Sequence, residues 1–314
     1  MLPYDIILLY DMTKILLIII ISCLIINFII NLFYYQIEKI NNKLLFWSTQ
    51  LTDKQFDLFC DQNKLTIKNM TFIANDKSDD KNTNTYSISS ILINRIKQPT
   101  LKDKIIFYCH GNSWCIKKLF TTSPIKMVSN LKNTSAFVFD YRGYGNTKGE
   151  TTENNLYQDA YNAWNHLTLT LKVSEDNIII YGRSLGTAIA TNLMVNLINQ
   201  KRQIPKILFL DSPFVTLQST ANKFFCGLGK FVTFNFNNLK NLTIITKNTN
   251  KNNLKIYLLH SKEDQLVKYS ESLDLINKIG NNRCKLIDIN GSHMHPRYND
   301  NIVKFIQNEI ESII

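Results

Sequence analysis

The residues of this chain best suited to chemistry are five in a row, Gly182-Arg183-Ser184-Leu185-Gly186. A β-branched run, Asn177-Ile178-Ile179-Ile180-Tyr181, precedes them, and a helical run from Leu185 to Asn199 follows. A strand, a sharp turn carrying serine and a helix together make the setting of a G-x-S-x-G nucleophile elbow. Glycine lets such a backbone turn tightly and lets strand and helix pass close together. Ser184 would then stand at the strand's C-terminal end, above a helix N-terminus that favours developing negative charge. A serine hydroxyl is a weak nucleophile alone, so the pattern demands a histidine base and a carboxylate elsewhere in the chain.

Where serine sits on such a turn, the acid and then the histidine follow it in the chain. Of the five histidines, His110 and His166 precede Ser184, and His260 ends a predicted strand. His293 and His295 lie in a late loop, Asn290-Gly291-Ser292-His293-Met294-His295-Pro296, after the strand-like Lys285-Leu286-Ile287-Asp288-Ile289. Gly291 frees the backbone just before His293 and Pro296 stiffens it after His295, which favours His293 as the base. The carboxylate should follow the strand Lys255-Ile256-Tyr257-Leu258-Leu259, where Asp264 is the candidate and Glu263 the rival. Upstream, Lys104-Ile105-Ile106-Phe107-Tyr108-Cys109 runs into His110-Gly111-Asn112-Ser113-Trp114. An oxyanion site would combine the N–H of Leu185 with that of Asn112, Ser113 being the second choice. His110 reads as an anchor of that loop.

Six blocks in order carry a resemblance: His110-Gly111-Asn112, Phe139-Asp140-Tyr141-Arg142-Gly143-Tyr144-Gly145, Gly182-Arg183-Ser184-Leu185-Gly186, Asp211-Ser212-Pro213-Phe214, Glu263-Asp264-Gln265-Leu266-Val267 and Gly291-Ser292-His293. Across residues 65 to 312 or so, the chain resembles the Bem-type α/β-hydrolases, membrane-associated serine hydrolases of the alpha/beta-hydrolase-domain-containing group. The resemblance implies a Ser184–Asp264–His293 triad and no cofactor or metal. It also implies ester or thioester hydrolysis on lipidic substrates, since the group includes lysophospholipases, monoacylglycerol hydrolases and protein depalmitoylases. Two departures bear on substrate preference. Ser113-Trp114-Cys115 stands where relatives carry small residues, and His260-Ser261 stands where they carry His-Gly. Trp114 is therefore the candidate substrate-binding residue, crowding an acyl pocket or packing on its lid. Arg142 reads as scaffolding, and Arg183 as an exposed or pairing residue.

The elements that must position these residues follow from the order of segments. Tyr86-Ser87-Ile88-Ser89-Ser90-Ile91-Leu92-Ile93 alternates, as suits one of two or three antiparallel edge strands between residues 64 and 97. From Lys104 onward strands alternate with helices, which demands a mainly parallel sheet with helices on both faces, the α/β-hydrolase fold. The expected domain spans 64–314, with a candidate lid at 215–253 rich in phenylalanine (Phe224, Phe225, Phe231, Phe234 and Phe236). Those rings would line an apolar acyl pocket or pack the segment onto the sheet. Residues 37–63 read as a connecting segment.

Residues 1–36 read as an N-terminal segment holding a transmembrane helix. From Ile15 to Phe33 there is no charge, a length that fits a span of about 20 residues. Leu32-Phe33-Tyr34-Tyr35 lacks a small-residue cleavage pattern and suits an interfacial belt. The expectation is a single-pass membrane protein of the endoplasmic reticulum or another endomembrane. Basic residues (Lys14 before the segment, Lys39 and Lys43 after it) favour a cytosolic body, whereas the resemblance favours a lumenal one. The net charge of +11 is spread along the chain without an aromatic-interleaved cluster. That pattern excludes nucleic acid as a partner and suits an anionic membrane face. An AT-rich coding bias towards Asn, Lys and Ile would produce it equally well. Six cysteines show no paired spacing, and no metal-ligand spacing, phosphate loop or internal repeat is present.

Overall fold

The computed structural model describes residues 21–22, 24–29, 66–75, 85–94, 103–112, 114–119, 122–224, 232–250 and 252–313. The chain divides into two compact units, Met1–Leu44 and Leu45–Ile314. In the first, 21–22 and 24–29 are helical and expose Ile21, Leu24, Ile25, Ile26, Phe28 and Ile29. The remainder of the expected span at 15–33, and the connecting segment 37–63, lie outside the described residues. Among the described residues no helix is long and apolar enough to cross a membrane.

The second unit is built on one sheet. Its strands are β1 (Thr66–Asn75), β2 (Thr85–Asn94), β3 (Lys104–Cys109), β4 (Thr134–Phe139), β5 (Ile178–Arg183), β6 (Ile207–Asp211), β7 (Lys255–Ser261), β8 (Lys285–Gly291) and the short β9 (Pro296–Arg297). They lie in the order β1-β2-β4-β3-β5-β6-β7-β8-β9. From β4 to β8 every neighbouring pair is parallel, while β2 runs antiparallel to both β1 and β4. The continuous aliphatic runs of β3, β5 and β6 are fully buried, as a sheet covered on both faces requires.

The described helices of this unit are α1 (Ile116–Leu119), α2 (Ser123–Ser129), α3 (Glu153–Asn165), α4 (Leu185–Asn199), α5 (Leu217–Phe224), α6 (Asn238–Asn248), α7 (Tyr269–Ile279) and α8 (Asp300–Glu311). One core holds Phe107, Phe139 and Ile180 against Trp164 of α3, Ala188 and Leu193 of α4 and Leu242 of α6. The other holds Tyr108, Tyr181 and Phe209 against Ile125 of α2 and Ile306 and Ile310 of α8. Strand residues alternate between the two cores because successive side chains point to opposite faces. The strand order reverses around β3, so the loops after β3 and β5 leave neighbouring C-terminal ends. In open parallel sheets, ligands generally bind outside the strand ends at such a reversal.

Candidate active site

The three triad candidates follow β5, β7 and β8 at the C-terminal edge of the sheet. Ser184 follows β5 with φ 51° and ψ −117°, in the left-handed region that an L-residue rarely enters. Its N–H donates to the Asp211 carbonyl at 2.8 Å, and its own carbonyl accepts from the Thr187 hydroxyl at 2.6 Å. The turn leaves no room for a side chain at Gly186, where a Cβ would lie 2.0 Å from the Cys109 carbonyl oxygen. The β3 loop passes as close on the other side, since a Cβ on Gly111 would meet that of Ser184 at 3.4 Å. Asn112 and Leu185 thus flank the serine. The Leu185 N–H belongs to the first turn of α4, where the helix supplies no acceptor.

His293 arrives from the loop between β8 and β9. Gly291, at φ 90°, turns the chain there, and a Cβ on it would collide with the His295 carbonyl oxygen at 2.3 Å. Imidazole Nε2 lies 3.0 Å from Ser184 Oγ and Nδ1 lies 2.7 Å from Asp264 Oδ2. An ionised carboxylate only accepts, so Nδ1 carries the proton and Nε2 presents its lone pair to the serine hydroxyl. Burial lowers the His293 pKa below the ordinary 6.5, against the opposing hydrogen bond to Asp264. Burial alone would raise the Asp264 pKa. The His260 imidazole 3.6 Å away, the His293 hydrogen bond and the Val267 N–H outweigh it and hold the carboxyl well below its usual range. His295 and Glu263 do not join them: His295 is exposed, and Glu263 reaches out to Arg297 at 3.1 Å.

His110 is buried and anchors the loop after β3 that carries Asn112. Its Nδ1–H donates to the Gly111 carbonyl at 2.8 Å, its own carbonyl accepts from the Tyr141 hydroxyl, and burial pushes its pKa down to about 4. The Asn112 side chain is fixed by the Tyr144 hydroxyl at 2.7 Å. Asp140 ties the loop's far end, accepting from the Ile116 N–H at 2.8 Å, and burial pushes its pKa up to about 7. Arg142 is scaffolding in the block that follows, paired with Asp159 at 2.8 Å and stacked 4.1 Å over Tyr86.

Three placements differ from, or sharpen, the sequence expectations. Trp114 is 5% exposed and packs in the core on the α2/α8 face. Apolar Ile116 and Leu119 carry the chain onto that face directly after the oxyanion turn, and the indole goes with them. Arg183 is 1% exposed and paired, which settles its two alternatives. It donates to Asp211, to the Ser212 hydroxyl and to the His293 carbonyl, joining the serine turn to the base loop. Of the expected lid rings, Phe234 and Phe236 are buried in the α3/α4/α6 core. No side chain is described for Phe224, Phe225 or Phe231, nor for Ser113.

Two supporting groups were missed in the sequence. His260 braces the acid turn, bonding the Val267 carbonyl at 2.9 Å and the Ser272 hydroxyl at 2.7 Å. Tyr181 and Tyr298 both donate to Asp211. A signal for the first existed in a histidine four residues before the acid. Tyr298 gave none, because its partner is 87 residues away.

A family model described as alpha/beta hydrolase fold matches residues 106–252. Uncharacterized protein R595 of Acanthamoeba polyphaga mimivirus is 30% identical over 216 residues, covering 64% of this chain and 70% of that protein. The human alpha/beta hydrolase domain-containing protein 17B is 29% identical over 180 residues, covering 57% of this chain and 56% of its own length. For human 17C the match is 30% identical and covers 46% of that protein, so the chain spans about half the length of these two relatives. Among solved structures, an esterase of Pyrococcus furiosus aligns with a TM-score of 0.58 at 16% identity, over 86% of this chain and 97% of that one. An alpha-beta hydrolase of Vibrio vulnificus gives 0.55 at 17% identity, with the same coverage. Sheet order, elbow and these likenesses agree, and the chain has the α/β-hydrolase fold.

Proposed function

We propose that this chain is a membrane-anchored serine hydrolase that cleaves carboxylic ester or thioester bonds of lipids or acylated proteins. The reading rests on the hydrogen-bonded line from Ser184 Oγ through His293 to Asp264. In it Ser184 attacks the carbonyl carbon while its proton passes to His293 Nε2. Asp264 holds the imidazole in the required tautomer and stabilises the imidazolium that forms. The N–H groups of Leu185 and Asn112 receive the oxyanion. His293 then returns the proton to the leaving alkoxide or thiolate, and water, activated by the same base, releases the acyl group.

Several features support an apolar substrate near a bilayer. Leu266, two residues past the acid, and Met294, beside the base, are both exposed at the triad. The helical turns at 21–22 and 24–29 are apolar and exposed as well. A second reading, an inactive hydrolase-fold scaffold, would need a group that obstructs the site, and Trp114, the candidate for that, packs in the α2/α8 core.

Labelling by a fluorophosphonate probe tests the chemistry. The wild-type protein should label, and Ser184→Ala should lose labelling and p-nitrophenyl ester turnover by at least ~10⁴-fold. Undiminished labelling of the variant would sink the assignment. The substrate class is tested separately by kcat/KM along an acyl-chain series. Each buried methylene contributes roughly 0.8 kcal/mol, so octanoyl esters should exceed acetyl esters. An optimum at acetyl would remove the case for lipid.

A further inference from the structure

A cavity of about 310 Å³ opens between α3 and α4. Two neighbouring helices normally bury apolar stripes against one another. Here α3 contributes Asn154, Tyr157, Gln158 and Tyr161, at spacings i, i+3, i+4 and i+7 on one face. Opposite stand Asn192, Asn196 and Gln200, at i, i+4 and i+8 along α4 and its cap. The apolar residues of α3, Leu156, Ala160, Ala163 and Trp164, are buried in the core shared with the sheet and α4.

Five amides and two phenols thus line the space, and no ionisable acid or base of the physiological range does. Their mutual bonds use only part of their capacity. The Tyr161 hydroxyl donates to Gln200 at 2.6 Å, Asn196 donates to Asn192 at 3.0 Å, and the Tyr157 hydroxyl donates outside the lining to Glu153 at 2.8 Å. Asn192, Asn196 and Gln200 each keep one end of the amide unengaged, and the side chains of Asn154 and Gln158 bond no other described residue. Nearby Arg202 is occupied by Asn165, Thr168 and Glu175.

We propose that this cavity binds a neutral, polyhydroxylated six-membered ring, a hexose or an inositol. An amide offers donor and acceptor side by side, which matches a ring whose every hydroxyl both donates and accepts. A charged ligand would find no charged side chain in the lining itself, and a hydrocarbon would leave the amides unpaired. The volume stands at the small end of ligand sites and suits a single ring. The tyrosine rings supply apolar faces for its C–H edges. This site is separate from the triad and does not depend on hydrolysis.

The test uses the full chain in a polyoxyethylene detergent, since a maltoside headgroup would itself compete. Methyl α-D-glucopyranoside and myo-inositol are titrated by calorimetry and by saturation-transfer NMR, with cyclohexane-1,4-diol as a control poor in hydroxyls. At least one of the two probes should bind saturably with a millimolar dissociation constant, the stronger one identifying the source of the ring. Asn192→Leu and Gln158→Met, on different helices, should each weaken it at least tenfold while leaving the melting temperature and fluorophosphonate labelling unchanged. Ser184→Ala should bind as wild type does. Absence of saturable binding by both rings, equal binding of the diol, or unchanged affinity in both folded variants would overturn the proposal.

Discussion

Ser184 is held in a conformation that costs on the order of 1–3 kcal/mol, and its surroundings impose it. The Asp211 carbonyl takes its N–H and Thr187 takes its carbonyl, so the hydroxyl is left to face His293. The two late histidines should therefore separate cleanly. His293→Ala is expected to lose about as much rate as Ser184→Ala, because members of a triad act as one unit. Exposed His295→Ala should stay within about twofold of wild type, and a dead His295 variant would refute the geometry. The pH dependence has a definite sign. The base works neutral, and burial disfavours its imidazolium, so labelling should rise with pH through a value below 6.5 and then level off. Asp264 stays ionised throughout that range. An apparent pKa above 7 for this limb, measured by labelling rate against pH, would contradict a buried His293.

β5 and β6 end side by side with Arg183 directly opposite Asp211, so the two strands deliver a buried ion pair beneath the serine turn. Arg183 also grips the His293 carbonyl, which makes these strands a support for a loop 110 residues away. Arg183→Met should destabilise the fold by about 3–5 kcal/mol by leaving Asp211 charged among tyrosines. Asp211→Asn in the same chain should recover part of that loss in urea denaturation. Labelling of folded Arg183→Met should stay slow even so, because the His293 loop has lost its tie. Equal labelling rates in the two proteins would confine Arg183 to stability. The strands themselves were legible, since a run buried on both faces reads as uninterrupted Ile, Leu and Phe. α4 matched its expected bounds because Ser184 and Gly186 mark where the strand must stop. The partner of Arg183 was not legible, because strand register brings the two residues together across 28 positions of sequence. The face that Trp114 joins was not legible for a related reason: a loop has no periodicity to say which side of the sheet its indole will pack on.

At the scale of the whole molecule, a hydrolase body with its own core follows an N-terminal unit whose described helical turns expose aliphatic side chains. The order of blocks sufficed to recognise the body, because each block marks the end of one strand in a fixed sheet. The anchor was read from composition alone, and composition admits two modes of membrane attachment. The +11 charge would hold the body to anionic lipid electrostatically. The uncharged stretch 15–33 would hold it by insertion, and Ile15 to Ile21 alone contribute roughly 2–4 kcal/mol on an insertion scale. Salt separates the two, because at about 1 M the screening length shrinks to ~3 Å and surface attraction disappears. The proposed anchor requires that the full chain stay in the membrane pellet through 1 M salt and alkaline carbonate. It also requires that a chain lacking residues 1–36 move to the supernatant and still label at Ser184. Release of the full chain by salt would assign membrane contact to the basic body. Carbonate-resistant retention of the truncated chain would assign it to apolar surface around Leu266 and Met294, exposed large hydrophobic side chains beside the acid and the base.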